Sequence, residues 1–458
     1  MRDFRLENAL FWPHIRNTSY EAFFEQMTEQ KLPSGADVAT QAASMQLIER
    51  ETMEHPILDL ECQMAQVLAM MEVRGVFIDV TILSKLEEEL TQTIQKIEAT
   101  VAEQTGETSV NLASPLQLQK LLFEILKIKP IRKTKTGWSV DEETLAILAE
   151  ENEICQQILV HRHASKLLGT YVRGLTKHIN PETYRIHTTY DSLGASTGRM
   201  SSDSPNLQNI PAGDPWSDEI KSAFRPEDPD WSYVVADYSQ IEIRILACLS
   251  GDPTMLDIFH NGRDLHLETA RFILGKEEIT SAERKLSKAV NFGVMYGITP
   301  FGLSKMIAKT QAECAAFIDG FFTLYPRTRE YFDHIVSETK RIGYAETFFG
   351  RRRAIKGLSD NNSMAREQAK REAMNMPIQG TCADIIKYAM VKIEESFRAK
   401  KLEAQLIMSV HDEIVVECPD VEIEVVEDTM KNIMEHIVTW EIPMTVEVGS
   451  GKTWRSAK

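Results

Sequence analysis

Between residues 83 and 101 the apolar positions are Leu83, Leu86, Leu90, Ile94, Ile97 and Val101, spaced 3-4-4-3-4, with Glu, Gln and Lys between them. That is one stripe along a long helix, and the pattern breaks at Gly106. A second helix, about Glu153 to Tyr171, is predicted to pack beside it. Upstream, Pro56 opens an apolar helix that Gly75 closes, followed by a short extended piece at Phe77–Asp79. Residues 1–55 read as polar and helical, with a loop at Leu32–Gly35. From about 184 the texture changes to short β-like runs and loops rich in Asn, Ser, Gly and Pro. Trp231–Asp237 then reads as a buried strand, Ser239–Leu249 as a helix, and 264–340 as mostly helical. Near the end, Leu406–Val410 and Ile414–Glu417 are two short apolar runs separated only by His411-Asp412-Glu413, which predicts a hairpin. The organisation is helical arms around a small sheet.

Composition narrows the class. The chain has 458 residues, enough for about three domains. Hydrophobic residues are 43% and charged residues 26%, which excludes global disorder. The charge sum is 51 − 68 = −17, which excludes a histone-type DNA-coating protein but leaves room for a local basic groove. One basic stretch stands out, Lys127 to Gly137, with Lys129, Arg132, Lys133 and Lys135. It is either a solvated surface loop or a phosphate contact. The six cysteines form no CxxC pair, so isolated thiols in a reducing cytosol are expected. His161 and His163 read as helix-surface residues. No apolar run approaches the ~18 residues of a membrane span, and the start lacks a signal-peptide core. A cytoplasmic monomer with no membrane partner is expected.

Three segments carry candidate chemistry. In Tyr233–Arg244 an apolar strand ends in Asp237 and a helix follows. A carboxylate at a strand end suits a hard cation such as Mg²⁺, although Asp is also a common turn residue. In the hairpin, His411-Asp412-Glu413 is an odd choice for a tight turn, where Asn-Gly or Asp-Gly would serve turning alone. If Asp412 lies beside Asp237, the two carboxylates could hold two metal ions ~4 Å apart, as phosphoryl transfer requires in both polymerases and nucleases. Third, Arg284, Lys288, Phe292 and Tyr296 recur every four residues, so all four share one helix face. Two cations followed by two aromatics would meet a polyphosphate at one end, and a sugar and base at the other. Gly293 and Gly297 weaken that helix and suit the close approach of a flat partner. Ser239-Gln240-Ile241-Glu242 also matches a capping box, with Ser239 as N-cap. Gly449-Ser450-Gly451-Lys452-Thr453 looks like the end of a P-loop, but Val446 stands where the first glycine belongs and no helix has room to follow.

DYSQIEIR, RKLSKAVNFGVMYG and VHDE resemble the three polymerase motifs of family A DNA polymerases. Further segments agree in order and spacing from about 56 to 455. Thr197–Ser202 and Pro205–Pro211 resemble the family's palm segment at the primer-template, and Arg371–Thr381 its template and minor-groove helix. Asn111–Pro115 and His161–Tyr171 resemble its thumb. The resemblance implies an α+β right hand with an antiparallel palm sheet, helical fingers and a helical thumb. Its divisions would be a nuclease-domain stub (1–55), a lead into the palm (56–79), thumb (80–172), palm (173–248), fingers (249–365) and palm again (366–458). It implies that Asp237, Asp412 and the Tyr238 carbonyl hold two Mg²⁺ ions, with Mn²⁺ as a substitute. Arg284, Lys288 and His266 would contact the triphosphate of a dNTP. Phe292, Tyr296, Gln240 and Glu242 would complete the nucleotide site, with Glu242 blocking a ribose 2′-OH. Arg199, Asn206, Gln208, Arg371, Asn375, Gln379, His411, Asn111, Ser114 and Lys166 would line primer-template DNA.

Two departures qualify the likeness. After Ile210-Pro211 the family carries arginines, where this chain has Ala212–Glu219. Gly35-Ala36-Asp37-Val38 resembles the tail of the proofreading nuclease, with Gly35 where a catalytic aspartate belongs. Neither 3′-5′ nor 5′ nuclease activity is expected. The alternatives to a DNA polymerase are a two-metal nuclease, which has no need of the Arg284–Tyr296 stripe, a non-catalytic DNA-binding module, which has no need of both aspartates, and a polymerase with substantial reverse-transcriptase activity.

Overall fold

The structure, a computed structural model, describes residues 56–107, 110–135 and 137–458. The helical reading of residues 1–55 and the nuclease-like Gly35–Val38 lie outside the described residues. The chain begins with helix α1 (Pro56–Arg74), closed by Gly75 at φ 64°, and then α2 (Val80–Thr105). Asp79 caps α2 by accepting from the Thr81 amide at 3.0 Å, and Gly106 ends it in the left-handed region at φ 73°. Leu83, Leu86, Leu90 and Val101 are buried along it, so the spaced stripe is the face that packs. It packs on α3 (Glu153–Lys166), as expected. The chain then runs on through a wider π-helical turn, Leu167–Val172, which carries Tyr171. His161 corrects the surface reading. Its side chain is buried, with Nε2 3.2 Å from Glu98 on α2.

The centre is β1 (Trp231–Tyr238), followed by α4 (Ile241–Ser250), α5 (Leu265–Leu274) and α6 (Ser281–Met295). Further on come α7 (Ser363–Asn375), α8 (Thr381–Lys400), β2 (Gln405–Val410), β3 (Glu413–Pro419), α9 (Ile423–Glu435) and β4 (Val446–Gly451). The four strands form one antiparallel sheet in the order β2-β3-β1-β4. Alternation places Val234 and Ala236 in a core shared with α1, α4, α8 and α9. Tyr233 and Val235 face the opposite core, with α2 and Trp454. Burial on both faces explains why β1 reads as an unbroken apolar run. Its one acidic residue, Asp237, comes only at the exit.

Several boundaries differ from expectation. The hairpin turn is His411-Asp412 alone, because Glu413 already pairs with Val410 on one side and Asp237 on the other. His411 carries the turn at φ 57°, in the left-handed region. Helix α4 starts at Ile241, with Gln240 as N-cap at φ 56° and no side-chain cap bond. The Ser239–Glu242 capping box does not form, because Glu242 turns to other partners. A capping box does open α6, between Thr280 and Glu283. Gly293 in that helix and Gly297 just past its end serve the fold's own packing. A Cβ on Gly293 would lie 2.9 Å from Ile298 Cγ2, and one on Gly297, already at φ 69°, would lie 2.9 Å from Arg371 Cγ.

The basic stretch holds a two-strand hairpin, Lys133–Thr134 against Gly137–Trp138. Arg132 is paired with Asp141 and Glu143, whereas Lys129, Lys133 and Lys135 are exposed. The P-loop look-alike straddles the end of β4, and just past the strand Lys452 Nζ reaches Asp420 at 2.6 Å and the Pro229 carbonyl at 2.7 Å. Among the described residues no helix is long and apolar enough to cross a membrane.

Candidate functional site

The open end of the sheet gathers the acidic residues. Asp237 closes β1 and is cross-strand to Glu413, the first residue of β3. Asp412 precedes Glu413 in the turn, and its carbonyl accepts from the Tyr238 amide at 3.3 Å. Tyr238 is anchored from the other end, its hydroxyl donating to the Met434 carbonyl at 2.9 Å. Burial, then the Asp412 charge, raises the Asp237 carboxyl above the usual range. Asp412 is raised as well, chiefly by burial. Asp237 Oδ1 is buried with no hydrogen-bond partner. A buried carboxylate oxygen without a donor, beside a like charge, fits a cation. Among the described residues no three His, Cys, Asp or Glu side chains gather as a ready-made metal cage. Two carboxylates do fit Mg²⁺, which is commonly held by one or two carboxylates together with substrate phosphates.

Next to this end lies a cavity of about 230 Å³ lined by Arg199, Gln240, Ile241, Glu242, Phe292, Tyr296, Cys382, His411 and Asp412. Seven of these nine are residues singled out from sequence, contributed by segments far apart in the chain. Glu242, in the cavity wall, is 6% exposed. Its carboxylate accepts from the Arg199 guanidinium and from the Tyr296 hydroxyl. The Tyr296 hydroxyl is pushed to higher pKa by burial and by the Glu242 charge. Gln379, in the π-helical turn just before α8, also hydrogen-bonds Tyr296.

Helix α6 presents its stripe as expected. Arg284 and Lys288 are exposed while Phe292 and Tyr296 are half-buried, with the two rings stacked at 6.4 Å. Lys288 Nζ lies 5.9 Å from the Phe292 ring. Arg284 is paired with Asp264 at 2.6 Å, a partner the sequence did not suggest. His266 is shut in, 1% exposed, with Nδ1 2.8 Å from the Asn291 amide nitrogen and Nε2 unpartnered. That network assigns the proton to Nε2. Burial lowers His266 to about 4, so near neutral pH it offers an N–H and no charge.

A stability prediction follows for His266. The unfolded histidine titrates near 6.5 and the folded one near 4. Between those values only the unfolded chain takes the proton, so this residue lowers stability as pH falls through that window. The loss of melting temperature from pH 7 to pH 5 should be smaller in His266→Gln than in the parent. An equal loss would show that His266 is not excluded from protonation.

The DNA-side candidates are spread more widely. Arg199, Gln208 and His411 line a second small cavity with Lys387. Gln208 Nε2 donates to the Ser409 carbonyl at 3.3 Å, and Asn206 accepts from the Gln208 amide at 2.9 Å. Arg371 lies along the aromatic end of α6, and Asn375 Oδ1 is buried without a partner. Asn111, Ser114 and Lys166 sit apart, in the helical arm built on α2 and α3. There the Asn111 side chain accepts from the Ala113 amide at 2.9 Å, and Ser114 caps a short helix without a side-chain bond.

Sequence reasoning assigned no role to Asp264, Cys382 or Lys458. Lys458 Nζ pairs with Glu413 and lies 3.7 Å from Asp237 Oδ2. Local pattern carries no signal for these three, since each partner is distant in the chain.

Comparisons place this geometry among known proteins. The model for DNA polymerase family A matches residues 80–456. DNA polymerase I of Geobacillus stearothermophilus is 40% identical over 416 residues, 90% of this chain and 47% of that protein. DNA polymerase I of Bacillus subtilis is 41% identical over 402 residues, covering 87% and 46%. The thermostable DNA polymerase I of Thermus aquaticus is 41% identical over 404 residues, covering 87% and 48%. The chain thus spans about half the length of these relatives. Among solved structures, the POL domain of Pol1 from M. smegmatis, in complex with DNA primer-template and dNTP, superposes with a TM-score of 0.88 at 32% identity. That match covers 99% of this chain and 81% of the other.

Proposed function

The chain belongs to DNA polymerase family A, and from that premise we propose that it is a template-directed DNA polymerase, adding dNTPs to a primer 3′-OH with release of pyrophosphate. One observation carries the proposal. Asp412 and the Phe292–Tyr296 end of the α6 stripe line the same cavity. A nuclease needs the carboxylates alone, and a DNA-binding module needs neither.

In this reading 80–172 is the thumb, 249–365 the fingers, and the sheet with its flanking helices the palm. Family A polymerases are metal-dependent. Asp237, Asp412 and the Tyr238 carbonyl would hold two Mg²⁺ ions, with Mn²⁺ able to substitute. Bound there, the ions would supply positive charge for activating the attacking hydroxyl and stabilising the leaving oxygen. The rest falls to side chains. Arg284 and Lys288 bind the triphosphate, and Arg284 must first leave Asp264. His266 adds an N–H from Nε2 once it is exposed. Phe292 lies against the sugar, and Tyr296 stands by the templating base. Gln240 and Glu242 bound the sugar pocket. Arg199, Asn206, Gln208, Arg371, Asn375, Gln379 and His411 hold the duplex by shape and backbone, so any sequence is accepted. Asn111, Ser114 and Lys166 extend that contact along the thumb.

Primer extension on a DNA template with labelled dNTPs and Mg²⁺ tests the proposal. Template-dictated addition supports it. Primer shortening without addition would favour a nuclease, and binding with neither would favour a passive DNA-binding module.

The thumb hairpin gives a second test. Lys129, Lys133 and Lys135 are free of the ion pairs that hold Arg132. Replacing all three with Ala should flatten the slope of log K against log salt by about 2 to 3, since each phosphate contact contributes ~0.9. Arg132→Ala should leave the slope nearly unchanged. An unaltered slope in the triple variant would return the hairpin to solvated surface.

A further inference from the structure

Three carboxylates stand at the open end of the sheet without forming a ready-made cage, and the proposed reaction assigns two of them, Asp237 and Asp412, to the metal ions. Glu413 is the third. It stands cross-strand to Asp237, so both side chains project from the same face. Its own side chain is only 4% exposed. Both of its oxygens are taken by one segment, the residues after β4. The Trp454 indole N–H donates to Oε1, and the Lys458 ammonium pairs with Oε2.

That segment is firmly seated. Trp454 is 1% exposed, packed edge-on against Phe224 at 5.5 Å and beneath Lys221 at 4.8 Å. Its amide donates to the Phe224 carbonyl at 2.9 Å. Gly449 lets the segment fold back on β4, where a Cβ would come within 2.6 Å of the Ala457 carbonyl oxygen. Lys458 therefore reaches the carboxylates from a fixed base. It bridges Glu413 and, at 3.7 Å, Asp237 Oδ2.

We propose that Lys458 is a positioning residue of the metal site, holding Glu413 turned toward the Trp454–Lys458 segment so that the cation set is restricted to Asp237 and Asp412. The inference rests on reading those aspartates as the metal ligands. A loose third carboxylate would add a negative ligand to a site for hard cations, whose affinity follows the charge count of its ligands. It would bind a metal ion more tightly in the absence of substrate and draw it toward β3. The bridge to Asp237 is the longer of the two contacts, so Lys458 can yield Asp237 to a cation while keeping Glu413.

The test is Mn²⁺ titration of the protein without nucleotide or DNA, reading the free aquo-ion signal by electron paramagnetic resonance. Lys458→Met should bind Mn²⁺ about tenfold more tightly than the parent. Lys458→Arg, which keeps the cation, should stay close to the parent. Adding Glu413→Gln to Lys458→Met should remove the gain. Unchanged or weaker binding in Lys458→Met would overturn the inference. So would a gain that survives Glu413→Gln, because Lys458 would then act only as a competing charge at Asp237. The Lys458 side chain is 40% exposed, so the Met variant should fold, and Trp454→Phe, which removes only the indole donor, should show a smaller gain. Asp237→Asn serves as the separate control. If it leaves Mn²⁺ affinity at the parental value, the metal-site reading itself fails.

Discussion

Asp237→Asn and Asp412→Asn should each lower the rate of primer extension by about a thousandfold, or ~4 kcal/mol of barrier, while primer-template affinity changes little. The exchange keeps shape and removes one negative charge from a site whose chemistry depends on concentrated cationic charge. The structure adds a result that separates lost chemistry from lost folding. Both carboxyls are raised above the usual range, Asp237 in part by the Asp412 charge. A group whose folded pKa is raised is disfavoured in its ionised form, so a neutral amide should not destabilise the fold. In metal-free buffer at pH 7 the melting temperature of either variant should equal or exceed that of the parent. Retention of more than about a tenth of the parental rate, a loss under ~1.4 kcal/mol, would sink the assignment.

Glu242→Ala should raise incorporation of rNTPs relative to dNTPs by about tenfold or more, equivalent to ~1.4 kcal/mol of lost discrimination. The side chain is buried in the cavity wall beside Tyr296, where the proposed reading puts the 2′-OH of an incoming ribonucleotide. Filling that space adds a clash against the wrong sugar. The competing explanation, a helix cap for α4, is removed by the structure, because Gln240 is the N-cap and Glu242 bonds to Arg199 and Tyr296. Glu242→Gln provides the control. It keeps the bulk and can still accept from Tyr296, so sugar selectivity should persist. Single-turnover rates with matched rNTP and dNTP pairs would decide it. Unaltered selectivity in Glu242→Ala would assign the residue to holding Arg199 and Tyr296 in the DNA-free state.

The comparison between Glu242 and Arg284 shows where local reading succeeds. Arg284, Lys288, Phe292 and Tyr296 were legible because one helix face is a property of spacing, and α6 runs unbroken to Met295. Glu242 was legible as a site residue through the family resemblance, but its local role was misread. Ser-x-x-Glu spells a capping box only if the intervening backbone allows one, and Gln240 turns into the left-handed region instead. His161 was misread for a related reason. A histidine in a polar helix looks exposed until a second helix brings Glu98 against it. In the basic stretch, pattern gave five cations of equal standing, whereas the fold pairs Arg132 with Asp141 and Glu143.

The long helices, the hairpin and the central strand were legible without the fold, because periods of 3.6 and 2 are written in neighbouring residues. The sequence also brought out the residues of the cavity, since the motifs that resemble the family are contiguous. Tertiary structure alone decided which oxygens are occupied and which are left for a cation. Asp237 keeps an unpartnered buried oxygen while Glu413, directly across the sheet, has both of its own engaged by Trp454 and Lys458. Those two carboxylates are chemically alike in sequence. They are made unlike by donors from a segment more than forty residues beyond Glu413 in the chain, and such a contact depends on how whole elements pack, which no local pattern encodes.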